Sequence, residues 1–292
     1  MVFMIPGADF LQSTAHGCSK SRREGRNVQG DEVNMQELSI RSTLDGTLQP
    51  SLFFHPGEGR SVPLVVGLHT WSYDRFNQAA NYLPLCERYG FALLLPEFRG
   101  ANLDTNPRKH EACGTKLARQ DVIDAVGYAI ENFAVDRKNI FLLGCSGGGH
   151  MALLAAETAP ELFRAVEVWC PVSDLFKWHR FQKSTAKRDY TRHIEACLGG
   201  TPDEVPEEYL YRSPARHTEH LSGIPVSIHH GRHDPVVSFR DSVVLAENVE
   251  SAGNGAVYLD IFDGGHEQMP AHSFEWFAKL VGKSPNTVDI TG

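Results

Sequence analysis

A serine lies in a setting that favours nucleophilic chemistry. The segment Gly144-Cys145-Ser146-Gly147-Gly148 follows the apolar run from Ile140 to Leu143 and precedes a helix-like stretch. A serine on a sharp strand-to-helix turn adopts strained backbone angles, and glycine neighbours leave room for that turn. The turn exposes the hydroxyl and places the next amide, that of Gly147, at a helix N-terminus, where it can donate to an oxyanion. We therefore expect Ser146 to be a nucleophile.

A glycine-rich turn that binds a phosphate is the alternative interpretation of the same segment. The segment lacks the lysine of a P-loop and the spacing of a dinucleotide-binding motif. The strand, turn and helix context therefore favours the nucleophile.

A nucleophilic serine needs a base, and the base needs an orienting carboxylate. In sheets of this kind the expected chain order is serine, acid, histidine, with the last two in loops after later strands. Asp234 follows the apolar run that begins at Pro225, and His266 follows the run from Val257 to Phe262. Open α/β sheets build their sites at such C-terminal strand ends. The sequence predicts a triad of Ser146, Asp234 and His266.

Other residues compete for these roles. Asp174 also follows a strand and is the best alternative acid, whereas Asp263 is too close in sequence to His266. His272 is expected to lie inside the last helix, which makes it the weaker candidate for the base. Cys145 adjoins the nucleophile position but is not the central residue of the turn, so we expect no thiol chemistry from it.

The histidines His229, His230 and His233 raise the question of a metal site. Alternate residues of a strand face opposite sides, so a structural role is the more economical interpretation. The pair His266-Glu267 is followed by His272 and does not form an HExxH motif, because the second histidine comes too late to share a helix face. We expect neither a metal nor another cofactor.

The second oxyanion donor is expected in the loop after the run from Leu64 to Leu68. In the segment from His69 to Tyr73, the backbone amide of Trp71 is the candidate, and the hydroxyl of Tyr73 is the alternative. Packing of both aromatic rings at the strand end is an equally open interpretation.

The elements that must position these residues follow a regular alternation of strands and helices. Apolar runs without alternation suit strands that are covered on both faces. They are Leu64 to Leu68, Phe91 to Leu95, Ile140 to Leu143, Ala165 to Trp169, Pro225 to Ile228 and Val257 to Ile261. Helices are predicted at Phe76 to Tyr89, Thr115 to Phe133 with Thr115 as N-cap, His150 to Ala156, Phe239 to Ser251 and His272 to Val281. This order predicts right-handed crossovers and a mostly parallel, twisted sheet with helices on both faces.

Three further segments complete the predicted organisation. Residues 1–33 are polar and basic without periodicity, which predicts an N-terminal arm that either lies on the surface or is poorly ordered. One domain is predicted over residues 34–292. Asp45-Gly46 between two extended runs predicts a hairpin with a type I′ turn. An insertion at about 171–223 is far longer than usual connections and predicts a lid or pocket wall; a plain structural excursion is the alternative. Its aromatic residues are Phe176, Trp178, Phe181, Tyr190, Tyr209 and Tyr211.

Composition limits the function classes. The chain has 292 residues, 41% hydrophobic and 22% charged, with a net charge of -8. This acidic balance argues against nucleic acid and anionic membranes as partners. The six cysteines are too sparse for a disulfide scaffold. No run reaches the roughly 18 apolar residues of a membrane span, and the N-terminus lacks the features of a secretory signal, so we expect a cytoplasmic location. The oligomeric state stays open.

The motifs, taken in order, resemble those of the α/β-hydrolase superfamily. The chain is similar, from about 62 to about 280, to the catalytic domain of the prolyl oligopeptidase family and to single-domain serine esterases. The matching segments are Glu97-Phe98-Arg99-Gly100, Gln120-Asp121-Val122-Ile123-Asp124-Ala125, the glycine-rich segment from Gly144 to Ala152, Tyr211-Arg212-Ser213-Pro214, Ile224-Pro225, His230-Gly231-Arg232-His233-Asp234 and Gly265-His266. The resemblance implies an α/β-hydrolase fold in which Ser146 is the nucleophile, Asp234 the acid and His266 the base.

Departures from the family pattern favour small esters over peptides. About sixty residues precede the first core strand, which leaves no room for the family's propeller domain. His69-Thr70 stands where the family has His-Gly, and we find no acidic pair that would anchor a peptide amino terminus. We expect a serine hydrolase that cleaves a small-molecule carboxylic ester through an acyl-enzyme. A small serine peptidase is the alternative, and a non-catalytic binding protein with this fold is a third hypothesis.

Overall fold

The computed structural model describes residues 35–57, 59–185, 189–221, 223–253 and 256–285, and the predicted N-terminal arm lies outside them. The strands are β1 (Gln36–Arg41), β2 (Leu48–Phe54), β3 (Val62–Leu68), β4 (Ala92–Pro96), β5 (Val135–Cys145), β6 (Ala165–Trp169), β7 (Val226–Gly231) and β8 (Val257–Phe262). The helices are α1 (Ala79–Tyr89), α2 (Lys116–Asn132), α3 (Gly147–Thr158), α4 (Leu175–Thr185), α5 (Tyr190–Leu198), α6 (Pro206–Tyr211), α7 (Phe239–Ser251) and α8 (Pro270–Leu280).

The strands form one sheet in the order β1-β2-β4-β3-β5-β6-β7-β8. Strand β2 pairs antiparallel with β1 and β4, and all other neighbours are parallel. Side chains alternate between two apolar layers: Leu64 and Val66 pack with α2, α3 and α7, while Val65 packs with α1 and α8. The mostly parallel sheet with helices on both faces is therefore confirmed.

The predicted elements are present, with differences at their ends. Helix α7 has the predicted bounds, and the Thr115 side chain caps α2 by accepting a 3.1 Å hydrogen bond from the Ala118 amide. Helix α3 begins at Gly147 rather than at the predicted His150. Its three leading glycines are poor helix formers, but they fit a site where the backbones are packed too closely for a Cβ.

The hairpin is confirmed, but its predicted turn type is wrong. Strands β1 and β2 pair with Arg41 opposite Leu48, and the Ser42 amide donates to Thr47 O at 2.8 Å, so four residues form the loop. A type I′ turn needs positive φ at both central residues, and only Gly46 of the pair Asp45-Gly46 has it. The Asp45 side chain instead accepts from the Thr47 amide and pairs with Arg99, which favours the longer loop.

The insertion folds as helices α4, α5 and α6 with short 3-10 segments. Trp178 and Tyr209 are buried in a third apolar cluster, which also contains Trp71 from the loop after β3 and Val237 from the loop after β7. The insertion therefore packs on loops at the C-terminal ends of the strands, where the sequence places the site.

Two sequence-level expectations concern cysteines and membrane spans. The five cysteines in the described ranges form no disulfide bonds, and all five are buried. Within those same ranges, none of the helices combines the length and apolar character needed to cross a bilayer.

Candidate active site

Ser146 occupies a strained turn between β5 and α3. Its backbone angles are φ 56° and ψ −120°, outside the regions that side-chain-bearing residues prefer. The Ser146 amide donates to Trp169 O at 2.8 Å, and the Ser146 carbonyl accepts from the His150 amide at 3.0 Å. These two bonds tie the turn to β6 on one side and to the first turn of α3 on the other, so the strained conformation is held by its surroundings.

Glycines are required around this turn for steric reasons. A Cβ on Gly144 would lie 2.2 Å from Gly148 O, and a Cβ on Gly148 would lie 2.3 Å from Leu68 O. A Cβ on Gly147 would lie 2.6 Å from the backbone nitrogen of Trp71. The glycines seen in the sequence therefore allow the first turn of α3 to pack directly against the backbone at the end of β3.

Asp234 and His266 are brought together by the loops after β7 and β8. His266 Nδ1 donates to Asp234 Oδ2 at 2.6 Å. The other carboxylate oxygen accepts from the amides of Val236 at 2.7 Å and Val237 at 3.0 Å. Burial by itself would raise the pKa of Asp234, but hydrogen bonds from His230 and His266 outweigh it and hold the pKa below its usual range. Asp234 is therefore an anion at neutral pH.

His230 is a site residue that the sequence interpretation treated only as structural. It is fully buried, its Nε2 is 3.1 Å from both Asp234 Oδ2 and Val237 O, and its Nδ1 is 2.7 Å from Ser242 Oγ. Nε2 carries the proton because both neighbours are acceptors, so the Ser242 hydroxyl donates to Nδ1. The sequence signal that could have identified His230 as a site residue is its position at a strand end, four residues before Asp234.

Ser146 and His266 line one cavity of about 220 Å³ at the C-terminal edge of the sheet. Ser146 is 7% exposed, and its cavity is bordered by the loop after β3, by α5 and by the loop after β8. The other lining residues are Thr70, Trp71, Ser72, Tyr73, Cys145, Tyr190, Glu267 and Gln268. The structure therefore gathers the predicted serine, histidine and carboxylate at one place.

The Trp71 backbone nitrogen lies close to Gly147, the residue that follows Ser146. Trp71 is fixed by its carbonyl, which accepts from the Asn102 amide at 2.8 Å, and by edge-on packing against Trp178 at 4.6 Å. Within the described part of the chain, neither amide donates to a protein oxygen. Two such donors can bind one anionic oxygen. Tyr73, the alternative donor, also lines the cavity, and it is 59% exposed.

The rival acids are engaged elsewhere. Asp174 pairs with Arg216 at 2.7 Å and accepts from the Lys177 amide at 3.1 Å in the first turn of α4. Asp263 pairs with His233 at 2.9 Å on the surface. Neither takes the position at His266 that Asp234 holds.

The last two candidates from the sequence are His272 and Cys145. His272 is in α8, as expected, edge-on to Trp169 at 6.1 Å. Burial raises the pKa of the Cys145 thiol well above its ordinary value, so this thiol stays protonated.

The three histidines considered for a metal do not share a site. His229 and His230 face opposite sides of β7, as the strand period predicts. Their nearest carboxylates are Glu167 for His229 and Asp234 for His230, while His233 pairs with Asp263.

Comparisons with known proteins identify the family. Residues 83–282 match the prolyl oligopeptidase family, a segment that includes Ser146, Asp234 and His266. The chain is 28% identical to the uncharacterized peptidase YtmA of Bacillus subtilis over 161 residues, which are 55% of this chain and 59% of that protein. It is 28% identical to a probable acetylxylan esterase A of Neosartorya fischeri over 117 residues, 38% of this chain and 31% of the esterase. The chain thus spans less than two thirds of the length of either relative.

Solved structures share the fold. A puromycin-hydrolyzing peptidase of Mycobacterium tuberculosis superimposes with a TM-score of 0.69 at 20% identity, over 88% of this chain and 40% of that one. The sheet order and helical layers described above are those of the α/β-hydrolase fold of these neighbours. With the family match covering most of the chain, the protein belongs to the prolyl oligopeptidase family of serine hydrolases.

Proposed function

We propose that this protein cleaves small carboxylic esters through an acyl-enzyme formed on Ser146. The observation that carries the proposal is the 2.6 Å hydrogen bond from His266 to Asp234 beside the cavity that Ser146 lines. A buried anion that accepts from Nδ1 leaves Nε2 of the imidazole as the free base.

In the proposed reaction, His266 Nε2 takes the proton of the Ser146 hydroxyl as the oxygen attacks the substrate carbonyl. Asp234 holds the ring in the required tautomer and stabilises the imidazolium that forms. The imidazolium then gives its proton to the leaving alcohol, which departs and leaves an ester on Ser146. Water, activated by the same imidazole, hydrolyses that ester and restores the serine.

The amides of Gly147 and Trp71 are the proposed oxyanion donors. The Trp71 nitrogen is so close to Gly147 that a Cβ added there would lie 2.6 Å from it, which supports two hydrogen bonds to one tetrahedral oxygen. Each such donor contributes about 2.7–4 kcal/mol of transition-state stabilisation in a comparable enzyme. The Gly147 amide begins α3 and the Trp71 amide belongs to the packed loop after β3, so neither needs to reorganise as charge develops.

The size of the cavity supports a small acyl group. Its volume of about 220 Å³ lies below the roughly 300–1,000 Å³ of pockets for drug-sized ligands. Aromatic side chains of Trp71, Tyr73 and Tyr190 border it. An acetyl or propionyl group fits this volume, and the acetylxylan esterases among the relatives are consistent with that choice.

A small serine peptidase is the second candidate, and Glu267 is the observation that favours it. This residue lines the same cavity, with Oε1 accepting from the Gly265 amide at 3.0 Å. Its carboxylate offers a negative charge to the amino terminus of a peptide substrate. Relatives named as peptidases agree with this alternative.

The nucleophile is tested with a fluorophosphonate probe on two serine variants. Ser72 lines the same cavity and provides a matched control. We expect Ser146→Ala to lose labelling and ester turnover while its melting temperature stays near that of the wild type, and Ser72→Ala to keep both. Labelling of the Ser146→Ala protein would overturn the assignment.

The substrate class is tested with nitrophenyl esters of increasing chain length and with aminoacyl nitroanilides. We expect the highest kcat/KM for acetyl or propionyl esters and a steep decline with longer acyl chains. Efficient anilide cleavage that is lost in Glu267→Gln would establish the peptidase instead. An inert wild-type protein in both assays would support the non-catalytic hypothesis.

A further inference from the structure

A second polar cluster lies under α8, on the opposite face of β7 from His230. Glu167 of β6 is fully buried, and its Oε1 is 3.2 Å from His229 Nε2 and accepts from Ser273 Oγ at 2.8 Å. His272, in the first turn of α8, has a ring nitrogen within 4.8 Å of both ligand atoms. We propose that Glu167, His229 and His272 form a binding site for a divalent metal ion of the zinc type.

One oxygen of the buried glutamate indicates a missing ligand. Among the residues that the structure describes, Glu167 Oε2 has no hydrogen-bond partner, although the side chain is fully buried. An unpaired buried carboxylate oxygen is costly, and most such groups in proteins are satisfied. A metal ion bound by the carboxylate would neutralise its negative charge and give Oε2 a partner.

The spacing of the donor atoms fits tetrahedral zinc. With bonds of about 2.0–2.1 Å, two ligands of a tetrahedral zinc ion lie about 3.3 Å apart. Glu167 Oε1 and His229 Nε2 are already 3.2 Å apart, and the unpartnered Oε2 belongs to the same carboxylate. His272 is exposed, so a side-chain rotation can bring its nitrogen the remaining distance without disturbing the core. Two imidazoles and a carboxylate favour zinc over magnesium or calcium, which prefer oxygen ligands.

The surroundings of His229 resemble the support that metal-bound histidines usually receive. Its Nδ1 is 3.3 Å from Asp260 Oδ2, so this nitrogen can carry the proton while Nε2 faces the metal. Trp169 stacks on the ring at 4.1 Å and fixes its plane. The serine Ser227, whose Oγ is 2.9 Å from Nε2, can bond to a water in the open fourth position.

Solvent access is provided by a separate cavity of about 280 Å³ beside the cluster. It is lined by Ser227, Tyr258, His272, Glu275, Trp276 and Lys279. A cation can therefore enter without passing through the candidate active site. The ion would join β6, β7 and α8, which is a structural role independent of the proposed esterase activity.

The test is a zinc titration of untagged, chelator-treated protein, followed by calorimetry and thermal melting. We expect one equivalent of Zn²⁺ to bind and to raise the melting temperature, because a ligand of the native state stabilises it. His272→Ala should abolish both effects, whereas His220→Ala, which removes an exposed histidine elsewhere, should keep them. Mg²⁺ should have no effect.

A second variant separates ligand loss from damage to the fold. Asp260 is a partly exposed residue that would orient His229, so Asp260→Asn should weaken zinc about 10–100-fold without unfolding the protein. No zinc binding by the wild type would overturn the proposal. Equal zinc affinity in the wild type and His272→Ala would place the ion elsewhere and overturn it as well.

Discussion

Asp234 and His266 are 32 positions apart in the chain, yet a 2.6 Å hydrogen bond joins their side chains. The register of two parallel strands explains this contact. Gly231 at the end of β7 lies opposite Phe262 at the end of β8, and Asp234 and His266 follow these strand ends within four positions. The sheet therefore sets the distance between the Asp234 carboxylate and the His266 imidazole, and the two short loops set their orientation.

Replacing the acid should impair the base without changing the shape of the site. In Asp234→Asn an amide takes the place of the carboxylate and donates to Nδ1, so Nε2 is protonated and cannot accept from the serine. We expect kcat on a short-chain ester to fall by about 10⁴-fold, the loss typical of this substitution in such triads. Asp263→Asn, in an exposed pair with His233, should retain full activity. The opposite result would make Asp263 the acid.

His230 should act as a positioning residue through Asp234. His230→Leu removes a donor to a charged oxygen, a hydrogen bond worth about 1.5–3 kcal/mol, so kcat should fall by roughly 10–100-fold with little change in KM. His230→Gln retains a donor and should recover part of the rate. Equal kcat in the leucine variant and the wild type, both folded by circular dichroism, would make the residue structural only.

The close approach of Gly147 and Trp71 can be tested with a single methyl group. In Gly147→Ala the added Cβ would meet the Trp71 backbone at 2.6 Å, so the two amides must separate. We expect kcat to fall by at least about 10²-fold, as for loss of one oxyanion donor. Gly127 in α2 has open space at its Cβ, and Gly127→Ala should keep activity and gain about 0.5–1 kcal/mol of stability. Normal kcat in Gly147→Ala would exclude this oxyanion site.

The buried His150 should make the fold sensitive to acid. Burial lowers the pKa of His150 from 6.5 to about 4. Between these values the unfolded chain binds a proton that the folded chain does not, so stability is complete above pH 6.5 and falls as the pH decreases towards 4. The slope from this group approaches about 1.4 kcal/mol per pH unit.

Denaturant unfolding at pH 7 and pH 5 measures this effect. His150→Gln can still donate to Arg212 O, which His150 Nε2 contacts at 2.7 Å, but it does not titrate. The loss of unfolding free energy between the two pH values should be smaller in the variant by about 2 kcal/mol. An identical loss in both proteins would show that His150 is protonated in the folded state.

Structural features that depend on near neighbours in the sequence could be predicted from the sequence alone. Apolar runs and glycine positions reflect the two-residue period of strands and the steric demands of a single turn, which act between near neighbours. For this reason the strands, the strained Ser146 turn and the Thr115 cap follow directly from the residues. The hairpin loop differs from the predicted type I′ turn because Asp45 bonds to Arg99. This partner is 54 positions away, so no local sequence pattern contains it.

Convergence of distant groups was decided by the tertiary structure. The sequence proposed Asp234 and His266 from their order, but only the pairing of β7 with β8 produces their hydrogen bond. The hydrogen bond from His230 to Asp234 depends on how the chain turns after β7, and the contact of Gly147 with Trp71 depends on the packing of α3 against the loop after β3. The buried Glu167 likewise meets His229 and His272 only after β6, β7 and α8 assemble. Such contacts arise from the three-dimensional path of the backbone, so the identity of a residue and its neighbours in sequence do not specify them.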